Sequence, residues 1–498
     1  MSDKIINIKL VLSAFFFLSF GLYAQEKGKS VITGTYTGEN NGLAILATAN
    51  RYVYLRNNLD FVEDTVSFKN NTFRFEIANQ KQPIYFTLFV PFKSHRGQKL
   101  YMYTLAPDSD IQIDLRADTV VFKGRGSETL TCQYLIGKVN RANGVYKPIF
   151  KSPEVQDSLL NKWGDYEYKL FTKKNYDSVY NEKFKLLQGY KSKISPLTFQ
   201  WLWTDLESEK DYSIYNSFFG YSFYSYPAEK QQALLKFYKD QLFDRKADTT
   251  DLENKIETKL YTTAIIAKLE ADIIFENIPR IYRSAKVDSL LYLRIINEFD
   301  SRLRERLLTD FMIKVFKKGS KSLNYYYTEI LSIVKDSYLS SILSTYQGNI
   351  KGRPAYPFVL PNLNGDLFSL KQFKGKLLLI DFWFKGCSQC ISLEEQMRPV
   401  RQHFKNNTNI VFLSINVDYK KETWLDGIAS GKYTDAQNIN LSLHGLGFKH
   451  PFLRYYGYLG FPQLLIIDRT QKVLNAQPAR PFIESDRPKF IKYLESLL

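Results

Sequence analysis

The chain has 498 residues, 44% of them hydrophobic, with 68 Lys and Arg against 51 Asp and Glu for a net charge of +17. That length exceeds what one hydrophobic core supports and points to about three domains. The basic residues are interleaved with acidic ones and form no recognisable nucleic-acid module, which argues against a nucleic-acid partner.

In chain order, the first 24 residues have the pattern of a secretory signal peptide. Lys4 and Lys9 give a positive start, Leu10 to Tyr23 an apolar stretch, and Ala24 a small residue before polar Gln25-Glu26-Lys27. The stretch is shorter than the ~20 residues that a spanning helix needs. The expectation is an exported protein of a bacterial periplasm or cell envelope, with no stable membrane insertion after cleavage. An exported chain with only three cysteines is not a disulfide-stapled scaffold. Cys132 stands apart from the other two and reads as a small buried residue rather than a resolving thiol.

Residues 28–127 read as β. Val66 and Phe68, then Asn70-Asn71, then Phe73, Phe75 and Ile77 alternate, turn and alternate again, as a hairpin does. Short strands at this spacing predict an all-β, sandwich-like antiparallel domain. From 128 to 346 the period becomes helical. Ser152-Pro153-Glu154 is a helix start; Leu303, Leu307, Leu308, Phe311, Met312 and Val315 form one apolar face, and Leu234, Leu235, Tyr238 and Leu242 another. These faces read as core. Gly348, Gly352, Pro354 and Pro357 mark a linker to a last domain at 352–498, expected to be α/β.

In that domain the apolar run Leu377-Leu378-Leu379-Ile380 leads into Asp381-Phe382-Trp383-Phe384-Lys385-Gly386-Cys387-Ser388-Gln389-Cys390. Thiols at i and i+3 of a helix start share a face and lie close enough to pair. The unpaired N–H groups there favour the thiolate of the first, and the thiolate is the attacking species in disulfide exchange.

Residues 352–498 resemble the thioredoxin-like domain of exported TlpA/ResA-type proteins. The resemblance rests on Pro357, Phe358, Leu360, Asn364-Gly365, Ser369-Leu370 and Phe373-Lys374-Gly375-Lys376, then the strand and cysteine pair. Ile410 to Val417 resembles the next strand, Trp424 the helix after it, and Gly460-Phe461-Pro462 the family's cis-proline loop. The residues before this domain loosely resemble the β-rich domain of unknown role that often precedes it. By resemblance, Cys387 and Cys390 form the redox-active disulfide, with Cys387 attacking and Cys390 resolving. Asp381 becomes a buried carboxylate that exchanges a proton with Cys390, and Pro462 is cis beside the pair. Trp383 and Phe461 are expected at the substrate site, Trp383 packing below it and Phe461 presenting backbone to an extended segment. The resemblance implies protein disulfide substrates, a membrane electron donor and no cofactor.

The chain departs from the family at Gly386, where a tryptophan usually precedes the first cysteine, and at Ser388-Gln389, which lacks the common proline. A proline expected at Glu395 stands at Pro399. The acid expected at Leu393 is displaced to Glu394, so no role is carried to it. Ile391 follows the second cysteine where haem attachment needs His, and Phe384 to Cys387 has no peroxidase threonine. The four histidines, His95, His403, His444 and His450, make no zinc set, although His444 and His450 are placed to approach the site. Two alternatives stay open: a partner-binding envelope protein with an accessory redox domain, and a disulfide isomerase or oxidase.

Overall fold

The computed structural model describes residues 28–36, 41–51, 61–90, 98–116, 119–142, 153–218, 226–244, 250–277, 284–318, 322–435, 438–443, 445–458 and 460–498. The signal-peptide reading of residues 1–24 lies outside them, as do His95 and His444. The chain divides into two compact units, one built on the N-terminal strands with residues 185–199, the other holding residues 200–498.

The first unit contains β1 (Ser30–Tyr36), β2 (Asn41–Ala49), β3 (Val62–Lys69), β4 (Thr72–Ile77), β5 (Ile84–Val90), β6 (Gln98–Leu105), β7 (Asp110–Leu115) and β8 (Val120–Arg125). The expected hairpin is β3–β4. Asn70 and Asn71 take φ of 52° and 64°, the left-handed pair of a type I′ hairpin turn. All eight strands join in one ladder, β6-β5-β2-β3-β4-β1-β7-β8. It is not wholly antiparallel as expected: β7 crosses over to pair parallel with β1, whose other edge is occupied by β4. Alternate residues such as Phe73, Phe75, Ile111 and Ile113 fill its core. The helix Ser127–Ala142 covers the β6 edge, where the Gln133 side chain accepts from Thr104 N at 2.7 Å and donates to Thr104 O at 2.9 Å. Cys132, on the same helix, is fully buried, and desolvation pushes its thiol up to about 12. It is protonated at neutral pH and packs as an apolar residue.

Helices then run from Pro153 to Ser344. Leu303, Leu307, Leu308, Phe311, Met312 and Val315 line the buried face of Ser301–Lys317, none more than 3% exposed. Leu234, Tyr238 and Leu242 are buried likewise, and Leu235 half-buried. The glycine- and proline-marked connection is docked rather than loose. Asn349 Nδ2 donates to Tyr456 O at 2.9 Å, and Gly348 lies flat against Tyr455.

The C-terminal domain contains β9 (Val359–Pro361), β10 (Leu367–Ser369), β11 (Leu377–Trp383), β12 (Ile410–Asn416), β13 (Ile439–Ser442), β14 (Gln463–Ile467) and β15 (Val473–Asn475). Its main sheet has the order β13-β12-β11-β14-β15, with β11 to β13 parallel and β14 and β15 antiparallel. β11 is central and buried on both faces, which explains its unbroken apolar run. Leu378, Ile380 and Phe382 face one core; Leu377 and Leu379 face the other, under the helices Ser388–His403 and Arg487–Glu495.

A Cβ at position 348 would fall 2.4 Å from the Tyr455 carbonyl oxygen, which cannot retreat as a side-chain tip could. Gly348→Ala should therefore lower stability by about 1–3 kcal/mol and speed cleavage near residue 350, read by urea unfolding and limited proteolysis.

Candidate redox site

Strand alternation determines what lies beneath the cysteines. Asp381 and Trp383 follow Leu377 and Leu379 onto the β11 face that the Ser388–His403 helix covers. Before the helix starts, the chain turns through Gly386 at φ +100°, a conformation that disfavours a tryptophan there. The turn is held by Lys385 N donating to Asp418 Oδ2 and Gly386 N donating to the Tyr433 hydroxyl, each at 2.9 Å.

Cys387 is the N-cap residue, and its sulfur accepts from Cys390 N at 3.1 Å. The two cysteines form a disulfide with Cα atoms 5.2 Å apart, and they are 6% and 2% exposed. Trp383 is fully buried beneath them, its indole stacked on Tyr433 at 5.4 Å and its Nε1 donating to Ser414 Oγ at 2.8 Å. The ring lies below the cysteine pair, the position expected of it. Gly427 leaves it room, since a Cβ there would come within 2.7 Å of the indole.

The Phe461–Pro462 peptide bond is cis, and Phe461 packs against the cluster containing both cysteines. Phe384, Phe448 and Phe461 form an aromatic group with centroids 5.3–6.1 Å apart, and Phe448 is 41% exposed. His450 is an N-cap instead, its Nδ1 accepting from Phe452 N at 3.1 Å. Among the described residues no cluster of His, Cys, Asp and Glu is placed to hold a metal ion.

Asp381 is half-buried as a residue, but its Oδ1 is shut from solvent and has no hydrogen-bond partner. Desolvation, then the neighbouring Glu394, push its carboxyl up to about 8, against the pull of Arg401 and Arg480. Glu394 is 1% exposed and held by Arg401 Nη2 at 2.5 Å and Arg398 Nε at 3.3 Å. Sequence comparison assigned Glu394 no role because of its one-residue displacement. The helix nevertheless buries both Leu393 and Glu394. The available signal was local: arginines at i+4 and i+7 lie on the face of an acid that they neutralise. Arg480, beyond β15, was not anticipated and carried no such signal.

Residues 351–476 match the AhpC/TSA family, a thioredoxin-like domain. The solved structures similar to the chain include the thioredoxin domain of a thiol-disulfide oxidoreductase from Bacteroides vulgatus, 26% identical, covering 28% of this chain and 97% of that one with a TM-score of 0.25. A thiol:disulfide interchange protein from Bacteroides sp. is 25% identical, with coverage of 29% and 93% and a TM-score of 0.26. A thiol-disulfide oxidoreductase from Bacteroides fragilis is 21% identical, with coverage of 28% and 99% and a TM-score of 0.25. No curated protein matches the chain. A thioredoxin-like domain whose helix-start cysteines form a disulfide is the working part of a thiol–disulfide oxidoreductase.

The Asp381 carboxyl generates a stability test. Its folded pKa lies above its unfolded value of about 3.9, so the folded state binds the extra proton. Stability should fall as pH rises from about 4 to about 8, where the folded group finally ionises. Asp381→Asn removes the penalty. Urea unfolding of the oxidised proteins should show the variant gaining at least about 1 kcal/mol on wild type at pH 9, with the gap closing toward pH 4.

Proposed function

We propose that the protein is an exported thiol–disulfide oxidoreductase of the TlpA/ResA kind that reduces disulfides of envelope proteins. The observation that carries this reading is the Cys387–Cys390 disulfide at a helix start, on the face of β11 that also holds the buried Asp381.

In the reduced protein, the Cys387 thiolate attacks one sulfur of a substrate disulfide. A mixed disulfide forms, and the first substrate thiolate leaves. The Asp381 carboxylate takes the Cys390 proton, and the Cys390 thiolate then attacks Cys387 Sγ. The second substrate thiolate leaves and the intramolecular disulfide closes. The substrate gains two electrons, and a membrane electron donor restores the dithiol. Extended substrate backbone aligns along Phe461 and Pro462, and its apolar side chains rest on Phe384 and Phe448.

Support for export comes from the N-terminal sequence pattern. Among the described residues no helix is long and apolar enough to cross a membrane. The β and helical regions would select which proteins reach Cys387.

Reduction of insulin or a model mixed disulfide tests the chemistry: wild type should turn over, and Cys387→Ser should fall to the uncatalysed rate. Equal rates would contradict the reading. Asp381→Asn should slow resolution more than attack, by up to about 10²-fold, the lower end of acid–base assistance, because water partly substitutes. Stopped-flow kinetics separates the two steps.

A further inference from the structure

Arg480 lies on the segment after β15, far in sequence from the cysteines. Its Nη1 donates to the carbonyl of Pro462, the residue that follows the cis bond. The guanidinium is half-buried, its Cζ 5.1 Å from the Phe482 ring centroid. It also lines a cavity of about 630 Å³ with Gln463 and Leu464 of β14 and with Phe316 and Tyr346 of the helical region. Leu464 is the residue paired with Asp381 across the β11–β14 ladder. One cation thus holds the proline loop by its carbonyl while its charge bears on the buried Asp381, an interaction that acts on both partners.

We propose that Arg480 is a positioning residue of the redox centre: it anchors the Pro462 carbonyl and supplies, from the cavity side, positive charge to the buried Asp381. The proposal rests on the proton role given above to Asp381.

Other charged groups bear on Asp381 from the Ser388–His403 helix. Glu394 opposes its ionisation, while Arg401, which favours it, is already engaged with Glu394. From β12, Ser414 is its ladder partner and is polar but does not titrate. Tyr458, whose hydroxyl donates to Ala476 O, lies beside Arg480 in the cavity wall. Arg480 is therefore the cation not balanced by Glu394. Removing it should make Asp381 harder to ionise, so the alkaline rise in resolution rate should move to higher pH.

The experiment is the pH dependence of mixed-disulfide resolution in the full chain, for wild type, Arg480→Gln, Arg480→Lys, Asp381→Asn and the Arg480→Gln/Asp381→Asn double variant. Arg480→Gln should raise the midpoint by about one unit, at the low end of shifts caused by a nearby opposite charge. Arg480→Lys, which keeps the cation, should stay near wild type, and the double variant should match Asp381→Asn alone. Circular dichroism confirms folding. An unmoved midpoint in a folded Arg480→Gln protein, or an equal shift with and without Asp381, overturns the proposal. Should Arg480→Gln not fold, a full-unit shift in Arg480→Lys overturns it, and a wild-type midpoint there with Asp381→Asn lacking the rise supports it. If Asp381→Asn keeps the wild-type rise, the proton role itself fails and the proposal falls with it. That pattern is read without any Arg480 variant.

Discussion

The redox centre depends on β11 being the middle strand of its sheet. Hydrogen-bonded to β12 on one side and β14 on the other, it cannot slip in register without turning every apolar residue to the wrong core. That constraint carries Asp381 into an interior position that it would not choose. It also places Trp383 under the helix start and delivers Cys387 to the N-cap. Cost and proposed use coincide: a carboxyl held where ionisation is unfavourable keeps its proton to near neutral pH, as the proposed exchange with Cys390 requires.

The buried charge around it is economical. Two carboxyl groups, Asp381 and Glu394, share one interior, and the helix commits Arg398 and Arg401 to Glu394. The result is a division of labour between like groups: each keeps one buried, unpartnered oxygen, but Glu394 accepts from two arginines through its Oε1, whereas desolvation pushes the Asp381 carboxyl up. The same asymmetry ties stability to chemistry, because the proton that relieves the burial of Asp381 is the one proposed to move during resolution.

Much of this was legible in the sequence, for local reasons. The apolar run, the acid after it and the i, i+3 cysteines are consecutive, so strand, buried carboxyl and helix start could be read without tertiary information. The Asn70-Asn71 turn was legible because it stands between two alternating apolar runs and asparagine tolerates the left-handed conformation of a tight hairpin turn. What escaped depended on packing between distant segments. The parallel β1–β7 pairing needs a crossover that alternation does not encode. The linker's glycines and prolines announced a break in helix, but not that Gly348 would lie against Tyr455. Trp383 could be read as packing below the site, but not that Tyr433, fifty residues later, would stack on its ring. Arg480 was invisible for the same reason: nothing near it in sequence says that it reaches Pro462.

The direction of electron flow is the central functional claim, and it turns on the potential of the Cys387–Cys390 pair, which Ser388-Gln389 separates. The most direct measurement is an equilibrium titration of the full chain against glutathione or dithiothreitol, with the Cys387–Cys390 pair followed by thiol trapping. A reductase requires a pair whose dithiol donates electrons readily, with a potential near the about −270 mV of thioredoxin. A value close to the about −120 mV of strong oxidants would contradict the account and assign the same pair to disulfide formation.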